Sequence, residues 1–216
     1  MQSLLRAASF LGLIFLLSAC GDSAREGGYF PRLGSEKRYE KLVLLPLGKV
    51  PEAQVQLVAQ SLAEYYNFSV VVPPAESLPK MAWYAPRQRY RADSLLDFLE
   101  SYVRGDIDRA MGITAKDIST TMGRHPDWGI MGLARRPGKV SVISTHRVRR
   151  NAHPDQFKRR LVRVARHEIG HSLGLPHCTA DQRCLMRDAA GKVSTVDQES
   201  DSLCALCRYL VGAHLR

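Results

Sequence analysis

The chain reads as an α/β domain built on a mixed sheet, and three features carry that reading. Short apolar runs alternate with longer stretches of helical periodicity from residue 40 onward. The runs are rich in β-branched residues and end on Gly or Pro. At 216 residues the chain is long enough for one domain with a substantial core.

KLVLLPL (41–47) is a continuous apolar run, which suits a strand buried on both faces. PEAQVQLVAQSLAEYY (51–66) opens with a proline, tolerated where a helix starts, and sets Val55, Val58, Ala59, Leu62 and Tyr66 at helical spacing. SVVVPP (69–74) is β-branched and stops on prolines, as a second strand would. A polar segment with Trp83 and Tyr84 leads to a second expected helix, about Arg91 to Arg104, on Leu95, Leu96, Phe98, Leu99 and Val103. MGITAKD (111–117), DWGIMGLAR (127–135) and KVSVIST (139–145) have the pattern of three more strands. A long helix then runs from about Asp155 to Leu173. Phe157, Leu161, Val164 and Ala165 line its apolar face, while Arg159, Arg163 and Arg166 form a charged side most simply left in solvent.

Composition narrows the function classes. The chain is 45% hydrophobic and 24% charged, with no repeat or low-complexity tract. Its formal net charge of +10 comes from scattered arginines, and no nucleic-acid-binding module accompanies them, so no specific nucleic acid is expected. Residues 1–19 have the basic start and short apolar run of an export signal, too short to span a membrane. Leu17-Ser18-Ala19-Cys20 resembles a bacterial lipobox, which implies acylation of Cys20 and lipid anchoring to the cell envelope. Residues 20–39 read as a flexible tether and 40–212 as the folded domain.

The chemistry concentrates in HEIGHSLGLPHC (167–178). His167 and His171 are four apart, so a helix sets both imidazoles on one face, close enough to share a metal. Glu168 stands where a carboxylate can take a proton from water activated by that metal. Gly174 can end the helix in a left-handed turn and Pro176 prevents its continuation, which would bring His177 back as a third ligand. Three protein ligands leave one position open, as a catalytic zinc requires. A bare H-E-x-x-H would arise by chance in about one chain of this composition in a hundred, and the added Gly and His reduce that to about two in a hundred thousand. His125, His146, His153 and His214 have no such setting. Apart from Cys20, the cysteines are Cys178, Cys184, Cys204 and Cys207. An exported chain makes disulfides the default for such a set, and the C-x-x-C at the end equally suits a structural zinc.

H-E-x-x-H-x-x-G-x-x-H is the metzincin signature, and the residues after it resemble the archaemetzincins: His177-Cys178, then Cys184-Leu185-Met186, then Cys204-Ala205-Leu206-Cys207. The similarity extends through MGITAKDIST, VSVISTHRV and the long helix. It implies a zinc-dependent peptidase acting on peptide or protein substrates, leaning toward an aminopeptidase of narrow specificity. It also implies a mostly parallel twisted sheet with an antiparallel edge strand above the active-site helix, with Asp127 to Arg135 the candidate edge. A structural zinc held by the four cysteines would clamp residues 178–207 into a small C-terminal subdomain, with Met186 as a turn beneath the catalytic metal. The chain has five residues between Cys178 and Cys184 where the family pattern has four. A non-catalytic zinc-binding envelope lipoprotein is the rival reading; it has no use for Glu168.

Overall fold

The computed structural model describes residues 39–212. The export signal, Cys20, the tether as far as residue 38, and His214 lie outside the described residues.

The first strand, β1 (Lys41–Leu47), shows why the sheet is covered on both sides. Alternate residues of a strand point to opposite faces. Leu42 and Leu44 pack with α1 (Glu52–Tyr66) and the long helix α4 (Pro154–Ser172), while Val43, Leu45 and Leu47 pack with α2 (Ala92–Glu100). Each fully buried leucine contributes about 1.5–3 kcal/mol by leaving water. Asn67, in the left-handed conformation at φ 58°, ends α1 and turns the chain into β2 (Ser69–Val71).

The main sheet has five strands in the order β2-β1-β5-β9-β8, with β5 spanning Arg109–Thr114, β8 Gly132–Ala134 and β9 Val140–Ser144. All neighbours are parallel except the edge strand β8, which runs antiparallel to β9 with Gly132 opposite Ile143. A smaller sheet, β3-β4-β6-β7, comprises Trp83–Tyr84, Arg89–Arg91, Ile118–Met122 and His125–Ile130. Short helices α3 (Thr145–Val148), α5 (Val193–Gln198) and α6 (Ala205–Val211) complete the domain. A third cluster gathers Leu175, Leu185, Met186, Leu203 and Val211 around the cysteines.

Three expectations need correction. The second helix stops at Glu100, where the Ser101 hydroxyl and backbone N–H both turn back to the Phe98 carbonyl. Residues 127–135 are not one strand: Ile130 pairs with Ile118 in the small sheet, and the chain changes sheets at Met131 before Gly132 joins β9. Only Gly132–Ala134 forms the edge. Nor are Arg163 and Arg166 left in solvent. Arg163 is buried beneath α5, donating to the carbonyls of Val196 and Asp197 and to Asp201. Arg166 reaches Ser61 and the Asp201 carbonyl while stacking on Tyr65.

Candidate metal centre and adjoining cavity

Helix α4 begins with Pro154 in its first turn and packs under β8 and β9. Its last turns carry His167, Glu168 and His171. At its end the Gly174 N–H bonds the His171 carbonyl and the Leu175 N–H bonds the Gly170 carbonyl, with Gly174 at φ +102°. This paired closure reverses the chain, and a side chain at Gly174 would be strained. Pro176 follows and His177 returns to the helix.

The three imidazoles converge. Ring centroids are 4.6 Å apart for His167–His171, 4.8 Å for His171–His177 and 5.5 Å for His167–His177, and one nitrogen from each lies within 4.8 Å of the others. His167 Nδ1 is 2.8 Å from the Leu185 carbonyl and His171 Nδ1 is 2.8 Å from the Leu175 carbonyl. A carbonyl can only accept, so both Nδ1 atoms carry the proton and both Nε2 lone pairs face inward. His177 Nδ1 stands 3.6 Å from Asp188. Burial first, then the neighbouring imidazole, pushes His167 down to about 3, and burial pushes His171 down to about 4. Neutral imidazoles with a fixed tautomer are what a divalent cation such as zinc needs.

Glu168 is 6% exposed, and burial raises its carboxyl to about 8. Its Oε1 lies against Gly132 on the edge strand, where an added Cβ would come within 2.5 Å. Met186 is wholly buried with its thioether against Gly170 of α4, directly under the helix. The histidines, Glu168 and residues of the edge strand border a cavity of about 350 Å³, which Val164, Val196 and Glu199 also line.

The four cysteine sulfurs also lie within 4.8 Å of one another, all as free thiols. Cys178 and Cys204 Sγ are 3.7 Å apart, close to the spacing of about 3.8 Å for two sulfurs on one tetrahedral zinc. Cys184 Sγ accepts from the N–H of Met186 at 3.4 Å and of Cys204 at 3.3 Å. Burial pushes the Cys184 thiol up to about 11 and raises Cys207, while at Cys204 burial is outweighed by hydrogen bonds, from the Cys207 backbone first, and its thiol falls. The extra residue between Cys178 and Cys184 does not keep them apart. The Cys178 N–H bonds the Met186 carbonyl at 2.7 Å, so the segment carrying His177 is tied to the Met186 turn.

His125, His146 and His153 join neither group. Sequence reasoning missed Asp188 and Glu199, which nothing in their spacing marks. It singled out the glycines of 127–135 for close backbone approach; the approach Gly132 makes is to Glu168.

The profile of peptidase family M54 matches residues 52–212. The chain belongs to that family, the archaemetzincins. Among curated relatives, the archaemetzincin of Methanopyrus kandleri is 30% identical over 78% of this chain and 93% of its own length. That of Archaeoglobus fulgidus is 32% identical over 77% and 96%. Crystal structures agree. The archaemetzincin of M. kandleri superposes at TM-score 0.67 with 31% identity, covering 80% of this chain and 93% of that one. That of A. fulgidus, complexed with malonate, superposes at 0.67 with 31% identity, covering 79% and 99%. The present archaemetzincin is therefore a zinc metallopeptidase with a mixed α/β fold.

Proposed function

We propose that His167, His171 and His177 hold the catalytic zinc and that Glu168 is the general base. The observation that carries this is the convergence of three imidazoles beside a buried glutamate at the edge of a cavity. When bound, the ion supplies Lewis acidity that polarises a peptide carbonyl and activates water. Glu168 takes the proton of the attacking water and returns it to the leaving amine. The edge strand β8 offers its free side to an extended peptide, which would add as a further strand. Gly174 shapes the turn to His177, and Met186 supports the helix from below.

Cys178, Cys184, Cys204 and Cys207 hold a second, structural zinc in this reading. All four sulfurs lie within 4.8 Å of one another, whereas two disulfides would need them only in pairs, and backbone N–H groups donate to Cys184 Sγ as a thiolate ligand would require. The substrate is a peptide or protein, and the family resemblance supports an aminopeptidase of narrow specificity. The lipobox supports an exported protein tethered to the envelope through Cys20. Among the described residues no helix is long and apolar enough to cross a membrane.

The test combines zinc per chain, free-thiol count and hydrolysis. Two zinc ions and four reduced thiols in residues 178–207 are expected. Glu168→Gln should keep both ions and lose hydrolysis by roughly 10²–10⁴-fold; full activity in that variant would sink the mechanism. Fatty-acid labelling that survives Cys20→Ala would sink the anchor.

A further inference from the structure

Among the described residues, Glu199 is the one buried acid on the cavity wall that the proposed mechanism does not use. It sits just after α5 and is 4% exposed. Its Oε1 is sealed from solvent and has no hydrogen-bond partner. Val164 and Val196 are among the apolar residues that line the same cavity. Two arginines lie near enough to act on it, and each has bonds of its own. Arg163 gives Nε to Asp201 at 2.7 Å and Nη1 to the carbonyls of Val196 and Asp197, and Arg187 gives Nη1 to the Gln182 carbonyl. Burial accordingly raises the Glu199 carboxyl to about 8, against the opposing pull of Arg163 and Arg187.

A buried carboxyl without a partner is costly unless something comes to meet it. The cavity is the route by which something can. Val164 lies one helical turn before Glu168, so the pocket runs about 5–6 Å along α4 from the hydrolytic carboxylate toward the α5 wall. That is about the reach of a lysine or arginine side chain, whose methylenes would lie on Val164 and Val196 while the charged end met the acid. We propose that Glu199 is a specificity residue that receives an ammonium or guanidinium cation of the peptide substrate in this pocket. The inference rests on the peptidase reading and adds the substrate class. The cation can come from a basic side chain next to the scissile bond or from the substrate's own amino terminus.

The experiment uses the zinc-loaded full-length protein and matched peptides. Each pair differs only in charge, lysine against norleucine and arginine against citrulline, at each position flanking the bond that is cut. Every peptide is made with a free and with an acetylated amino terminus. The expected result is a kcat/KM ratio of roughly tenfold or more for the charged member at one position, collapsing toward one in Glu199→Gln. Binding of the same peptides to the hydrolysis-deficient Glu168→Gln protein, followed by fluorescence anisotropy, should show the same ratio. Persistence of the ratio after acetylation identifies a side chain as the guest. A preference confined to free amino termini, and lost in Glu199→Gln, identifies the terminal ammonium. Hydrolysis that depends on Glu168 but is indifferent to charge everywhere, or a preference untouched by Glu199→Gln, overturns the assignment and leaves the peptidase intact. Absence of any Glu168-dependent hydrolysis overturns the peptidase reading and this one with it.

Discussion

A single missing side chain gives the hydrolytic carboxylate its place. Gly132 leaves room on the edge strand for Glu168, and a methyl group there would clash with Oε1 at 2.5 Å. Gly132→Ala is expected to displace Glu168 and lower kcat at least tenfold while zinc content is unchanged. Equal kcat at full zinc loading would show that the carboxylate tolerates the shift. At Glu199 the residue-scale consequence is a pH dependence of stability. Its folded pKa of about 8 lies above the ordinary glutamate value, so the unfolded chain releases this proton first. Its contribution is fully present below about pH 4.5 and is lost as pH rises through 8. Glu199→Gln should therefore match the wild type near pH 4.5 and exceed it by about 2–4 kcal/mol at pH 9, measured by urea denaturation. A constant difference between the two proteins would show that Glu199 ionises freely.

Between elements, the decisive contacts are those that hold α5 to α4, because α5 supplies one wall of the cavity. Arg160 is buried and pairs with Asp197 through Nε and Nη2, both at 2.7 Å, while also bonding the carbonyls of Val148 and Arg150. The Arg160 hydrogen bonds hold the Asp197 carboxyl below its ordinary range, so its stabilisation is present at neutral pH and lost as pH falls through that depressed value. Asp197→Asn should cost about 2 kcal/mol at pH 7, with the gap narrowing in acid. It was this docking that the sequence concealed. The apolar face of α4 was legible because Phe157, Leu161, Val164 and Ala165 repeat at helical spacing. Its arginine face read as solvated, since nothing local announces that a segment some thirty-five residues later folds back to cover it. The strand β6 was missed for a similar reason: ISTTM carries too little apolar alternation to signal a strand, and only pairing with β4 and β7 makes it one. The histidine set, by contrast, was fully legible, because an i, i+4 pair and a helix-ending glycine are local geometry.

At the scale of the molecule, two sulfur- and nitrogen-lined centres share one short piece of chain, His177-Cys178. The end of α1 is tied both to the segment beside Cys204, where Tyr65 accepts the Leu203 N–H at 2.8 Å, and to α4, where Tyr66 donates to the Arg166 carbonyl at 2.8 Å. Cys204→Ser is expected to remove one zinc per chain and to lower Tm by several degrees, since the ion binds only the folded arrangement. His171→Ala should also remove one zinc yet change Tm less, because its site lies on a rigid helix that needs no metal to form. Equal Tm losses from the two variants would show that both centres bear on folding alike.

The four sulfurs have a topological consequence. Cys184 and Cys204 meet in space, so everything from Leu185 to Leu203 is a loop fastened at both ends. Asp188, Val196 and Glu199 all hang from it, while the three clustered histidines and Glu168 lie outside it. Closing such a loop costs entropy that rises only slowly with its length, so insertions in its exposed stretch around Asp188 and Ala190 are tolerated far better than changes at Leu185, Met186 or Asp197, which hold His167 and α4. The fold thus sets part of the cavity wall on a span separate from the helix that carries His167, Glu168 and His171, so its exposed positions can change without disturbing that helix.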